Sequence, residues 1–506
     1  MRAEGTTAGS LADDADDPDA DGADGAEPTP AMVDEPARSD GFVRGLSEAI
    51  GGPLGEHAVR PPRSEYGGSR FWTPVRVVMA LALLTLSLHW VQKSPCRDGA
   101  WADLSQYKYF CYTDVLALYY AEHLNEGQVP YVDHAVEYPV LTGMLMGALG
   151  LPVHALNQRD PSLNPGRAFY NLNALVLGIF GVATAAMILA LRRRRPWDAA
   201  MFALSPALFV SATVNWDLFA VGLTAFFMYA WARGRPALAG LFLGLATAAK
   251  FYPLLLAGAL LALAIRTNRW RAMLYTIAAG TATWLAINLP VAARYTASWS
   301  EFFHLNRTRG IDWGTLWYIG EHLPLGGGRY GLYWFQRLNE DPEHGRLNSL
   351  YFGLFLIACA AILMLALRAP RRPRFAQLAF LVLAAFLVFG KVWSQQYVLW
   401  LLPLAVLARP RWGVFLAWQA AEVCYFVAFY GELMGASGHA VFPEWVFVFA
   451  SILRLVTVCV LAGFVVRDIL QPERDPVRQT YDDDPDGGAF EGAPDAGYLP
   501  LLRSWP

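Results

Sequence analysis

Charge is scarce in this chain. Asp, Glu, Lys and Arg make up 16% of its 506 residues, against 55% hydrophobic residues, well below the roughly one-quarter charged of a soluble domain. A soluble globule is excluded, because so large an apolar surplus needs lipid to face. Basic residues outside short loops are too few and too dispersed for a nucleic-acid surface. Phosphate-cradling glycine loops, Cys/His zinc spacings and a serine-nucleophile elbow are also missing, which argues against ATP-driven work by this chain. Cysteine is rare, with five in all. Cys359, Cys424 and Cys459 fall inside apolar runs and read as small packed hydrophobes. Cys96 and Cys111 share one loop, where a disulfide and two separate thiols are both open.

What is abundant points to a membrane. Trp (18) and Tyr (22) gather near the ends of apolar runs, as interfacial anchors do. The first such run begins near Val75, after a long polar leader, so no signal peptide is expected. Thirteen runs approach or reach the length that crosses a bilayer: 74–93, 138–154, 169–191, 198–214, 216–232, 236–250, 252–266, 272–293, 347–367, 375–390, 396–408, 412–431 and 443–466. Residues 1–70 and 471–506 are rich in Asp, Gly and Pro, and both are expected to be disordered tails.

Short basic loops set the orientation. Arg192 to Arg195, Arg233 with Arg235, Arg266 to Arg271, Arg368 to Arg374, Arg409 with Arg411, and Arg467 mark the cytoplasmic side. Both tails then lie inside, and the loops 94–137 and 294–346 lie outside. Thirteen crossings cannot leave both tails on one side. The short run 138–154, ending in Gly150-Leu151-Pro152, is therefore expected to be re-entrant or surface-lying. The alternative is that the Arg192 cluster faces outward. The two long loops are rich in Trp, Tyr and Phe and predict amphipathic helices along the outer face.

Residues able to do chemistry collect on that outer face. Asp114 and Glu137 can take a proton from a hydroxyl; equally, Asp114 can cap the helix that follows, and Glu137 can favour a helix start. Lys250, His304, Arg307 and Arg309 can hold a phosphate as it gains charge, or contact lipid headgroups. Asp217, Tyr119, Tyr138, Gln396 and Tyr397 suit sugar or acceptor recognition, while Gln395 and Gln396 also suit helix capping. Glu422 and Arg454 fall mid-run and predict a buried pair that glues two helices.

The order Asp114-x4-Tyr119, Gly127, Pro130-Tyr131, Glu137-Tyr138-Pro139, Asn215-Trp216-Asp217, Lys250-Phe251-Tyr252-Pro253 and Ser394-Gln395-Gln396-Tyr397 resembles the family 87 glycosyltransferases. The resemblance covers residues 72–466. It implies an all-α polytopic membrane protein of the GT-C fold: about twelve transmembrane helices, one re-entrant or interfacial helix and outer-face amphipathic helices. Characterised actinobacterial members imply an inverting mannosyltransferase of the plasma membrane. It would use a polyprenyl-phosphate sugar and a glycolipid or glycan acceptor, with Asp114 as base and no nucleotide sugar, metal or other cofactor. Two departures stand out: Val140 follows Tyr138-Pro139 where the family often has a second proline, and Glu137 occupies a place that is commonly uncharged. A transporter or flippase of lipid-linked saccharides is the rival reading, and would place its charges at mid-bilayer. A purely structural membrane protein fits the Glu422–Arg454 pair but not the acid-bearing aromatic loops.

Overall fold

The computed structural model describes residues 36–51, 71–326, 329–341 and 344–499. Among them, seven helices are long and apolar enough to cross a membrane by length and composition, and six shorter apolar segments lie between them. Each coincides with an expected run to within a few residues. Helices Pro74–Gln92, Pro165–Leu191, Pro206–Ser211 and Pro236–Ala249 open on proline, whose missing N–H is no loss in a first turn. Thr73, Asn164 and Ser205 cap three of them, accepting from the N–H groups of Arg76, Arg167 and Leu208. Among the described residues, one short antiparallel pair, Pro324–Gly326 with Arg329–Tyr330, interrupts an otherwise helical architecture. This is a multi-pass membrane protein.

Helix Val140–Arg159 has 20 residues and is one of the seven long and apolar enough to span. It lies against residues 124–131 along its length. Gly143 meets the Tyr131 ring, Gly150 meets Leu124, and His154 Nδ1 donates to the Asn125 carbonyl at 2.7 Å. A Cβ at position 143 would stand 2.4 Å from that tyrosine, so this approach needs glycine. The longest helix of the preceding loop, Asp114–Ala121, has only 8 residues, so the loop stays at one end of the bundle. The next helix starts at that same end, with Gly166 against Asp98 and Tyr120. The first turn of Val140–Arg159, where Thr142 Oγ1 donates to the Ala249 carbonyl at 2.6 Å, and the start of the next helix thus both lie near the first loop.

The inner helices are short. All 11 residues of Val398–Ala408 are buried, and at about 1.5 Å per residue they cover only about half of the hydrocarbon. Helices Pro236–Ala249 and Trp270–Arg294 pack backbone to backbone, and a Cβ on Gly244 would stand 2.4 Å from the Gly280 carbonyl oxygen. Gly244→Leu is expected to cost about 1–3 kcal/mol through overpacking. Thermal unfolding of purified protein should show a lower midpoint, whereas Gly258→Ala, in a helix and facing open space, should not lower it.

Described stretches of both tails differ from expectation, and residues 500–506 of the second lie outside the described residues. Residues 36–51 form helices Pro36–Ser39 and Gly41–Gly51 against the start of Trp412–Ala436, where Asp40 accepts from the Trp412 N–H at 2.8 Å. The rest of 1–70 lies outside the described residues. Residues 471–499 pack beneath the short inner helices. Arg374 donates to the last carbonyls of Val398–Ala408, at Leu407 (2.8 Å) and Ala408 (2.5 Å), and pairs with Asp475 at 2.7 Å. Arg192 donates to the same Leu407 carbonyl at 2.8 Å and takes both oxygens of Asp486 at 2.6 Å. Arg266 caps Ala366 and pairs with Asp495, and Phe490 packs on Trp231. Orphan helix carbonyls need donors, and those arginines need counter-charge once buried. The aspartates that made this segment read as solvated supply that charge.

Cys96 and Cys111 are disulfide-bonded, tying the first loop to the end of Pro74–Gln92. Cys424 and Cys459 are exposed on helix surfaces rather than packed.

Candidate active site

At the end opposite the arginine clusters, a cavity of about 640 Å³ opens above the short inner helices. Asp114 lies on its wall. The helix it begins is capped by Thr113, whose hydroxyl accepts from the Val115 N–H and donates to the Thr213 carbonyl at 2.6 Å. Capping therefore does not explain Asp114. Its backbone N–H donates to the Val214 carbonyl at 2.7 Å, and its Oδ2 accepts from Asn215 Nδ2 at 2.7 Å. The same amide donates to the Tyr138 hydroxyl at 2.6 Å. His89 braces the turn from below: Nδ1 donates to the Phe209 carbonyl at 2.5 Å, and Nε2 accepts from the Thr213 N–H at 3.0 Å. Burial raises the Asp114 carboxyl above the usual range, opposed by hydrogen bonds from Asn215 and Tyr112 and by the charges of Lys250 and Arg309. Glu137 lines the same cavity; burial and the Asp114 charge raise it, against Arg309 and Lys250.

The cations come from distant helices. Lys250, released from helix geometry at the end of Pro236–Ala249, holds Asp217 Oδ1 at 3.4 Å and stands 4.9 Å from the Tyr138 ring centre. Trp400 Nε1 donates to the same Asp217 oxygen at 2.7 Å and stacks on Tyr397 at 3.7 Å. Arg309 lies across the cavity, paired with Asp312 at 3.1 Å and partly open to solvent. Lys391 does not face the hollow. Its Nζ donates to the carbonyls of Arg307 (3.1 Å) and Arg309 (2.5 Å) and pins the arginine turn.

The structure thus gathers Asp114, Glu137, Tyr138, Lys250, Arg309, Gln396 and Tyr397 around one hollow. Asp217 is fully buried beneath it as the counter-charge of Lys250. Three expected residues lie elsewhere. Tyr119 is buried against Phe169, with ring centres 4.3 Å apart. His304 and Arg307 point away from the cavity on helix Thr296–Thr308, which turns Phe302, Leu305 and Asn306 inward. A helix presents one face, and packing here turns Phe302, Leu305 and Asn306 to the hollow rather than His304 and Arg307.

Sequence reasoning missed Lys93, Tyr112 and Asp312. Lys93, one residue past the first span, is fully buried, and its Nζ donates to the Tyr112 carbonyl at 2.9 Å. Burial lowers it to about 7, against the pull of Asp114. The Glu422–Arg454 pair forms at 3.0 Å, but it does more than join helices. Arg454 lies between the Trp393 and Tyr425 rings and donates to the carbonyls of Trp393 (2.9 Å) and Ser394 (3.1 Å). It clamps the turn that carries Gln395, Gln396 and Tyr397 into the cavity.

A carboxylate positioned by an amide, opposite lysine and arginine in an aromatic hollow, suits transfer of a sugar from a phosphate. The model of Glycosyltransferase family 87 matches residues 143–392. GPI mannosyltransferase 1 of Kluyveromyces lactis is 26% identical over 331 residues, covering 63% of this chain and 75% of that protein. The chain is a glycosyltransferase. It resembles family 87. The stretch matched to that family holds Asp217, Lys250, Arg309 and Lys391, whereas Asp114 and Glu137 precede it.

Proposed function

We propose that this glycosyltransferase moves a hexose, mannose in the first instance, from a polyprenyl-phosphate donor to a cell-envelope glycolipid or glycan, inverting the anomeric centre. The observation that carries this reading is the placement of Asp114 in one hollow with Lys250 and Arg309. The acceptor hydroxyl attacks the anomeric carbon from the face opposite the phosphate. A carbon–oxygen bond to the acceptor forms as the bond to the phosphate oxygen breaks. Asp114 takes the hydroxyl proton. The lipid phosphate leaves as a monoester with one more negative charge, which Arg309 and Lys250 face. Tyr138, Tyr397 and Gln396 border the sugar.

By the positive-inside bias, the arginine-rich end faces the cytoplasm and the cavity opens on the outer face of the plasma membrane. The Cys96–Cys111 bond, beside the cavity, supports an oxidising exterior there. A transporter would need a path to the other end, and residues 475–496 fill that end.

The test is an assay of purified protein with radiolabelled polyprenyl-phosphate mannose or a mannose nucleotide, over a panel of envelope glycolipids. Label should pass to acceptor from the lipid-linked donor alone; transfer from the nucleotide in its absence would overturn the reading. Arg309→Gln should lower kcat/KM for the lipid donor by about a hundredfold, the scale of one lost charge-stabilising donor.

A further inference from the structure

The end of the molecule opposite the active site carries a second polar hollow, of about 490 Å³. Arg409, Arg411, Arg467 and Arg474 line it, together with Asp40 and Glu473. Asp40 is already committed, since its two oxygens accept from the backbone N–H groups of Phe42 (2.9 Å) and Trp412 (2.8 Å). Asp468 is shared, holding Arg409 at 2.9 Å and Arg467 at 3.1 Å. Positive charge is in excess.

Arg409 is the informative residue. Its side chain is 6% exposed, and its Nε is satisfied by Asp468, yet its Nη1 has no hydrogen-bond partner. The guanidinium lies over the Phe464 ring, 4.7 Å from its centre, but a buried donor without a hydrogen-bond partner beside three further arginines remains costly unless an anion completes it. Burial lowers Arg409 below the usual guanidinium range, with Arg467 and Arg411 adding to the effect and Asp468 opposing it.

The neighbouring helix says which anion. Gly41–Gly51 borders the hollow through Phe42, which rests against Gly413 at the start of the spanning helix Trp412–Ala436. Phe42, Leu46 and Ile50 recur every fourth residue on one face and are 49%, 51% and 80% exposed. That stripe begins beside the end of a spanning helix, at the level of the bilayer boundary, where an amphipathic helix lies flat with its apolar face in lipid.

We propose that this hollow binds the phosphate of an anionic phospholipid headgroup, with Arg409 Nη1, Arg411, Arg467 and Arg474 as donors and helix Gly41–Gly51 seated in the same leaflet. The site stands apart from the transfer chemistry and does not depend on it. The test is thermal unfolding of delipidated, full-length protein in detergent, with phosphatidylglycerol, phosphatidylcholine or inorganic phosphate added at matched concentration.

Phosphatidylglycerol should raise the midpoint by several degrees, and the other two should not. The gain should shrink in Arg474→Gln and vanish in Arg409→Gln. Arg474 is exposed, so its variant keeps the test open should Arg409→Gln fail to fold. A gain of the same size from phosphatidylcholine, or one left intact in Arg474→Gln, overturns the site. An equal gain from inorganic phosphate overturns the lipid as occupant.

Discussion

Asp114→Asn is expected to insert and fold as the parent does, yet lose transfer by about 10²–10⁴-fold, the usual contribution of a positioned general base. The substitution conserves volume, and a side-chain carbonyl at that position still accepts from Asn215, so the turn at Val214 need not move. What disappears is the ability to take a proton. Glu137→Gln separates the two acids. Glu137 lacks the bond to Asn215 that positions Asp114, and its charge reaches the reaction through that of Asp114, so a much smaller loss is expected. Parental turnover in Asp114→Asn would remove Asp114 from the chemistry; a larger loss in Glu137→Gln would pass the role to Glu137. The pH profile carries the same information. A base must be ionised, and burial raises the Asp114 carboxyl. The acid limb of kcat/KM should therefore fall at a higher pH than an ordinary carboxylate gives, and Asp114→Asn should flatten it.

Asp475→Asn is expected to unfold the protein several degrees earlier, at a cost of about 3–5 kcal/mol, the scale for breaking a fully buried ion pair. Asp475 and Arg374 are both wholly buried, with Oδ2 and Nε 2.7 Å apart. The same carboxylate accepts from the Val477 N–H at 3.0 Å. Without it, Arg374 still reaches the carbonyls of Leu407 and Ala408, but its charge is left in a dry interior. Asp482→Asn is the control. That residue belongs to the same acidic stretch but is exposed, and the expected change is within about 0.5 kcal/mol. Equal, small effects of the two variants would mean that the C-terminal segment is not part of the folded core.

These two cases mark how far the sequence could be read. The spans were legible because lipid imposes length and composition on every helix that crosses it. Parity argued for a surface-lying Val140–Arg159, whereas its observed length and composition are those of a span. The C-terminal segment was misread. Composition reports that an aspartate prefers water, not that a buried arginine waits for it, and Arg192 and Asp486 are far apart in sequence. At the site, Lys250 and Gln396, at the ends of apolar runs, and Asp114, in the aromatic outer loop, could be read as one set because polar groups at a membrane surface need a reason. His304 and Arg307 were misplaced because which face of a helix turns inward is decided by packing. Lys93 escaped notice because a lysine just past a span ordinarily snorkels to water, and here a disulfide-tied loop folds over it.

The most direct test is a structure of the Asp114→Asn protein in a lipid disc with a polyprenyl-phosphate sugar and an acceptor, since loss of the base should trap both substrates. The account predicts the phosphate beside Arg309 and Lys250, with the acceptor hydroxyl in hydrogen-bond reach of position 114. A phosphate bound outside this cavity, or an acceptor hydroxyl that cannot approach position 114, would contradict it.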